Sequence, residues 1–222
     1  MKASLSSQVD IWSFELNHPQ WNDLSEDEWE QSQAFQHPQH QIQFASGRST
    51  LKAILNRYVD LPPFNQVIFD KNEYGKLYLK EFPYLQFNLS HSKNQALVAV
   101  GYEHPVGVDL EHHQAVAIFD LAEMLYSSAE IEGLKKCPKS LQNLAFFNVW
   151  AKKEAFIKAI GMGLAYPTTK FSTHFSVKTM QSIKDVLFQS EWQVYSWMPM
   201  VHCSAAVCVH PSITHIAFKH VF

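Results

Sequence analysis

Asp109 and Glu111 in the segment VGVDLE, and Glu154 with Lys158 in WAKKEAFIK about forty residues later, are the residues whose types and spacing could do chemistry together. Side chains alternate along an extended strand, so Asp109 and Glu111 project to one face while Leu110 turns into the core. Helical spacing puts Glu154 and Lys158 on a common face. Val106, Val108 and Leu110 around the first pair, and Trp150, Phe156 and Ile160 around the second, make both elements semi-buried. Carboxylates in such places need a compensating cation, because desolvation disfavours the charged form. Magnesium or a lysine could supply it. Magnesium prefers hard oxygen ligands, keeps several waters and completes its coordination with substrate phosphates. The pattern therefore points to phosphate chemistry, with Lys158 placed to neutralise charge on a metal-bound phosphate. The plain alternative is a set of exposed acids on unrelated elements with an ordinary Glu154 to Lys158 helix pair, and Lys152 fits that plainer account.

Other candidates are weaker. In FNLSHS, Asn88, Ser90, His91 and Ser92 leave a strand and enter a hairpin turn, where their donors suit a phosphate or simply cap the turn. Twelve histidines, among them His37, His40, His112 and His113, show neither HExxH nor a repeated Cys/His cluster, which argues against zinc. GMGLAYP follows a helix and lacks the third glycine of a dinucleotide loop, and no Walker A sequence is present.

The elements that must position these groups can be read from periodicity. A strand is predicted at VDIWSFEL, and a helix in DLSEDEWEQSQAF opened by a Ser25 and Glu28 capping box. FQHPQHQIQ, broken by Pro38, reads as a loop, followed by a helix over 44–58 that carries Arg48. Short strands follow at VIFD, LYLK, LQFNLS, ALVAVGY and VGVDLE, suggesting antiparallel hairpins. FDLAEMLYSSAEIEGL and LQNLAFFNVWAKKEAFIKAIG read as helices, the second stopping at Gly161, before strands at HFSVK, DVLFQ, WQVYSWM and SAAVCVH. Helices then strands in each half, with ALVAVGY answered by SAAVCVH, make a duplicated α+β layout with a boundary at residue 112: an N-terminal half over 1–112 and a C-terminal half over 113–222.

With 222 residues and 46% hydrophobic content the chain can bury a real core. A net charge of −3 gives no general reason to bind nucleic acid or an anionic membrane, so any anion site must be local. Cys137, Cys203 and Cys208 form no CxxC pair and MKASLSSQVD has no apolar signal region, which together point to reduced thiols in the cytoplasm. No run approaches the length of a membrane span.

Taken in order, EYGK at Glu73 to Lys76, FNLSHS, VGVDLE and WAKKEAFIKAIGMGL resemble the Sfp-type 4′-phosphopantetheinyl transferases, with VGVDLE and WxxKEAxxK as the most specific segments. The resemblance spans about residues 44–170. It implies a pseudo-dimer of two similar α+β halves, each an antiparallel sheet packed with helices, with the active site in the cleft between them. It implies an enzyme that moves the phosphopantetheine arm of coenzyme A to a serine of an apo acyl, peptidyl or polyketide carrier protein and releases adenosine 3′,5′-bisphosphate, using Mg²⁺. On this resemblance Asp109, Glu111 and Glu154 would hold the metal, and Glu154 would also serve as base. Lys158 would contact the pyrophosphate, and Arg48, Lys76, Ser90 and His91 would grip the nucleotide end. The chain departs from related enzymes in having no Lys or Arg between Lys2 and Arg48, so His37 or His40 would have to substitute. One chain carries the whole acid set, so a monomer suffices. Met162 and Leu164 are candidates for the carrier-docking groove. A magnesium-dependent phosphohydrolase or nuclease, and a noncatalytic module that binds coenzyme A or a carrier, are the readings from other classes.

Overall fold

The structure, a computed structural model, describes residues 6–221 and is a mixed α+β fold in which sheets pack against helices. Ten strands form two four-stranded sheets and a two-stranded ribbon. The first sheet has the order β10 (His215–His220), β1 (Gln8–Glu15), β5 (Gln95–Tyr102), β4 (Leu85–Ser92). The second runs β6 (Gly107–His112), β9 (Cys203–Val209), β8 (Glu191–Trp197), β7 (Met180–Lys184), and the ribbon pairs β2 (Asp70–Lys71) with β3 (Leu77–Tyr78). All pairings are antiparallel except β1 with β10. ALVAVGY and SAAVCVH, the two matching runs, become β5 and β9, each flanked by strands on both sides. Two strands pair across the sequence position 112: β6 joins β9, and β10 returns to β1.

Alternation explains the layering. Trp12, Phe14, Val98 and Val100 face Leu51, Ile54 and Leu55 of α2 (Pro38–Leu55), while Val9, Ile11, Leu97 and Ala99 face Val108, Leu110, Ala205 and Val207 of the second sheet. The opposite face of that sheet, with Val194, Ala206 and Cys208, packs on Ala151, Ala155, Phe156 and Ala159 of α5 (Lys139–Ile160). Leu110 is therefore core, as alternation requires, and Asp109 lies on the face toward α5.

Several elements differ from the periodicity reading. The Gln/His run is helical from Pro38 onward, because proline suits the first helical position, where its missing N–H has no partner to lose. The single helix expected over 119–134 is two, α3 (Ile118–Leu125) and α4 (Ser128–Lys136), because Ser127 caps α4 in a box with Glu130. The Ser25 and Glu28 box does open α1 (Glu26–Gln33). HFSVK and DVLFQ are not strands. The strand between them is MQSIK, β7, and the chain turns at Asp185, whose carboxylate accepts the N–H groups of Leu187 and Phe188. β10 was not anticipated, its period-2 pattern being blurred by histidines and a lysine.

Candidate active site

Four elements meet where β4, the last strand of the first sheet, lies against β6, the first of the second. FNLSHS is strand throughout, not a turn, because it pairs along its whole length with β5, and toward β6 its alternate side chains take the place of a ladder. Asn88 Oδ1 accepts Val108 N at 2.9 Å, Ser90 Oγ accepts Leu110 N at 3.3 Å, and Ser92 Oγ accepts His112 N at 3.1 Å. The outer N–H groups of β6 are thus satisfied by side chains, which would otherwise leave an open edge. Asn88 and Ser92 owe their importance to this seam, and the period-2 spacing of polar residues in FNLSHS is the signal that could have found it.

Across the seam, Lys158 Nζ donates to Asp109 Oδ1 at 2.6 Å and to Ser90 Oγ at 2.9 Å, and Ser90 Oγ also lies 2.9 Å from Asp109 Oδ1. Trp150 Nε1 donates to Glu111 Oε1 at 3.1 Å. Trp150 belongs to WxxKE, and the structure gives it a role that spacing alone did not. Asp109 is 2% exposed, and its Oδ2 has no hydrogen-bond partner among the described residues. Burial and then the charge of Asp109 push both Glu111 and Glu154 up to about 7, opposed by Lys158. Desolvation pulls the Lys158 ammonium down, but Asp109, Glu154 and Glu111 outweigh it and leave its pKa raised. Three acids thus share one lysine, an arrangement short of positive charge.

A cavity of about 360 Å³ adjoins this cluster, lined by Arg48, Lys71, Gly75, Lys76, Asn88 and His91 among others. Arg48 lies against the faces of Phe44 and Phe69, with its guanidinium carbon 5.2 and 5.6 Å from the ring centroids, and its Nη1 is buried without a partner among the described residues. Its nearest acid, Glu28, is 3.8 Å from Nε. Burial lowers the Arg48 pKa, against the charge of Glu28. Desolvation and then Lys158 lower that of His91, although the ring keeps surface exposure. Lys76 lines the cavity with its stem but sends Nζ to two backbone carbonyls, Ala159 O at 2.9 Å and Val106 O at 3.0 Å. His37 and His40 lie exposed at the start of α2, edge to face with each other at 5.5 Å. Leu164 is 70% exposed, whereas Met162 packs on the core between α5 and the second sheet.

The structure therefore brings together Ser90, Asp109, Glu111, Glu154 and Lys158, and beside them Arg48, Lys76 and His91. Among the described residues no three His, Cys, Asp or Glu side chains are gathered closely enough to hold a metal as they stand. The donor set nonetheless fits a hard divalent ion: oxygen ligands only, one buried carboxylate oxygen unpartnered, and two acids raised by burial and by the Asp109 charge. No helix among the described residues is long and apolar enough to cross a membrane.

The site is thus an acid cluster beside a guanidinium whose Nη1 is unpartnered among the described residues, on an α+β scaffold. The family model described as the 4′-phosphopantetheinyl transferase superfamily matches residues 105–206. The chain is 34% identical over 215 residues to the 4′-phosphopantetheinyl transferase HetI of Nostoc sp., covering 92% of this chain and 89% of that one. It is 25% identical to Sfp of Bacillus subtilis, covering 89% of each, and 34% identical to psf-1 of Bacillus pumilus over 59% of this chain and 54% of that one. The chain belongs to the 4′-phosphopantetheinyl transferase family and is an enzyme of that type.

Proposed function

We propose that this enzyme transfers the 4′-phosphopantetheine arm of coenzyme A to a serine hydroxyl of an apo carrier protein and releases adenosine 3′,5′-bisphosphate, in a Mg²⁺-dependent reaction. The observation that carries the reading is the acid cluster, in which Asp109, Glu111 and Glu154 share the single cation Lys158 and Asp109 Oδ2 is unpartnered. Asp109, Glu111 and Glu154 would hold Mg²⁺, which supplies polarisation of the pyrophosphate when bound.

The chain's own residues divide the rest. Glu154 has a pKa near neutrality, so it can accept the proton of the carrier serine as the oxygen attacks the β-phosphorus. Lys158, held by Asp109 and Ser90, offsets negative charge on the pyrophosphate. Arg48 has an unpartnered, desolvated Nη1 for the 3′-phosphate and His91 lines the same cavity, while Ser90, whose hydroxyl already bonds Asp109, Leu110 N and Lys158, would reach the nucleotide end only by giving up one of these bonds. Lys76 walls the nucleotide end with its stem, and His37 and His40 are the imidazoles that would stand in for the missing upstream basic residues. Arg48 on α2, packed on the first sheet, and the acids on β6 of the second and on α5, packed against it, meet where the two sheets adjoin. This supports a pseudo-dimer with its active site in the cleft between halves proposed at 1–112 and 113–222, with β6 crossing over to the second half's sheet. A monomer in the cytoplasm, without nucleic acid or membrane as partners, suffices for this chemistry.

The test is a mass shift of one phosphopantetheine on an apo carrier, requiring both coenzyme A and Mg²⁺. No shift with acyl, peptidyl and polyketide carriers would overturn the proposal, and consumption of coenzyme A without a carrier would replace it with a hydrolase.

A further inference from the structure

The turn between β2 and β3 is tied to the helix that bears Glu154 and Lys158. Besides the two carbonyl bonds of Lys76, Asn72 Nδ2 donates to Gly161 O at 2.8 Å, and Asn72 Oδ1 accepts Tyr74 N at 3.0 Å and Lys76 N at 2.8 Å. Gly161 ends α5 with φ of 84°, where an added Cβ would stand 3.1 Å from both Asn72 Nδ2 and Lys76 Cδ. At Gly107 an added Cβ would come within 2.0 Å of Ala155 O, so β6 rests directly on the backbone of α5. Lys76 bridges the residue that leads into β6, through Val106 O, to α5, through Ala159 O.

We infer that the Asn72–Lys76 turn is a positioning device: it fixes the end of α5, and so Glu154 and Lys158, against the strand that carries Asp109 and Glu111. The inference rests on the function proposed above. Ala159 directly follows Lys158, and Glu154 lies less than two helical turns back, so a shift at the Lys76 contact is passed to both side chains. Neither Asn72 nor the Lys76 ammonium needs to touch a reacting atom. Burial pulls the Lys76 ammonium down to about 8, as befits a cation facing neutral carbonyls and no carboxylate. Displacement of a catalytic group by about 1 Å costs up to roughly 100-fold in rate.

Two variants test this. Lys76→Met removes the bridge, and Asn72→Asp keeps the acceptor for the turn N–H groups but loses the donor to Gly161. Carrier modification is measured at varied coenzyme A with Mg²⁺, alongside calorimetric binding of adenosine 3′,5′-bisphosphate. In each variant kcat should fall roughly 10- to 100-fold, with KM for coenzyme A and affinity for the bisphosphate changed less than about threefold. A raised KM with unchanged kcat in Lys76→Met would make Lys76 a direct phosphate ligand and overturn the inference. So would an unchanged kcat in Asn72→Asp, whether or not Lys76→Met folds. A wild type that binds the bisphosphate yet modifies no carrier would overturn the proposed function, and this inference with it.

Discussion

The α1–α2 and α4–α5 pairs are built alike and deliver opposite charge. Each short helix opens with a Ser–Glu capping box, Ser25 with Glu28 and Ser127 with Glu130. In each, the same glutamate then receives a lysine from the long helix: Lys52 Nζ to Glu28 at 2.5 Å, Lys153 Nζ to Glu130 at 2.7 Å. Both lysines are fully buried and both also donate to the backbone, Lys52 to Asp23 O and Phe64 O, Lys153 to Phe171 O. The difference lies in what the long helix presents beside this shared anchor. α2 offers Arg48, with its Nη1 unpartnered among the described residues, whereas α5 offers Glu154 and Lys158. One scaffold device thus carries a guanidinium on one side and an acid set short of positive charge on the other.

That division can be broken most severely at Glu154. Glu154→Ala should cut carrier modification roughly 10²- to 10⁴-fold. It should also leave thermal stability unchanged or higher, since a desolvated acid is removed. A clear loss of stability would return Glu154 to the scaffold.

At the anchors the effect should be on folding. Glu130→Ala leaves Lys153 one carbonyl and strips Thr173 N of its acceptor, so it should cost about 3–5 kcal/mol in urea denaturation. Glu28→Ala leaves Lys52 two carbonyls and should cost visibly less. Equal losses would show that backbone carbonyls contribute little to holding these lysines.

Arg48→Met tests the unused donor. A charge-assisted hydrogen bond contributes about 1.5–3 kcal/mol, so binding of adenosine 3′,5′-bisphosphate should weaken roughly 10- to 150-fold with kcat little changed.

The acids also set a pH signature. Glu111 and Glu154 have folded pKa values near 7, above the ordinary carboxylate value of 4.5. Their contribution to stability is fully present below about 4.5 and is lost as pH rises through about 7. Mg²⁺ should therefore raise the melting temperature more at pH 8 than at pH 5, and magnesium removal should matter most at the higher pH. A thermal shift independent of pH would detach the metal from these acids. The smallest effect belongs to the caps, where Ser25→Ala and Ser127→Ala should each cost about 1 kcal/mol by denaturant titration.

Much of this was legible in the residues. Alternation in VGVDLE and helical spacing in WAKKEAFIK fixed which sides Asp109, Leu110, Glu154 and Lys158 take, because local geometry alone decides them. Which strand lies next to which is a long-range matter. Nothing local says that β6 joins β9, or that Asn88, Ser90 and Ser92 satisfy its other edge. FNLSHS looked like a turn because Ser and Asn serve turns and seams by the same local hydrogen bonds. Lys76 matches a position that would grip the nucleotide end, but a motif shows only that a lysine is present, not that its ammonium points to Ala159 O and Val106 O.

The parallel pairing of β10 with β1 bears on how the chain is made. Synthesis runs from the N-terminus, so β1 emerges early with one side unpaired, and β10 follows only after nearly two hundred further residues. Until then the first sheet stands open along Gln8–Ser13, an edge of the kind that recruits stray strands. The nascent protein is therefore open to mispairing along Gln8–Ser13 throughout the synthesis of the intervening residues, and that exposure ends only when β10 emerges and takes its place beside β1.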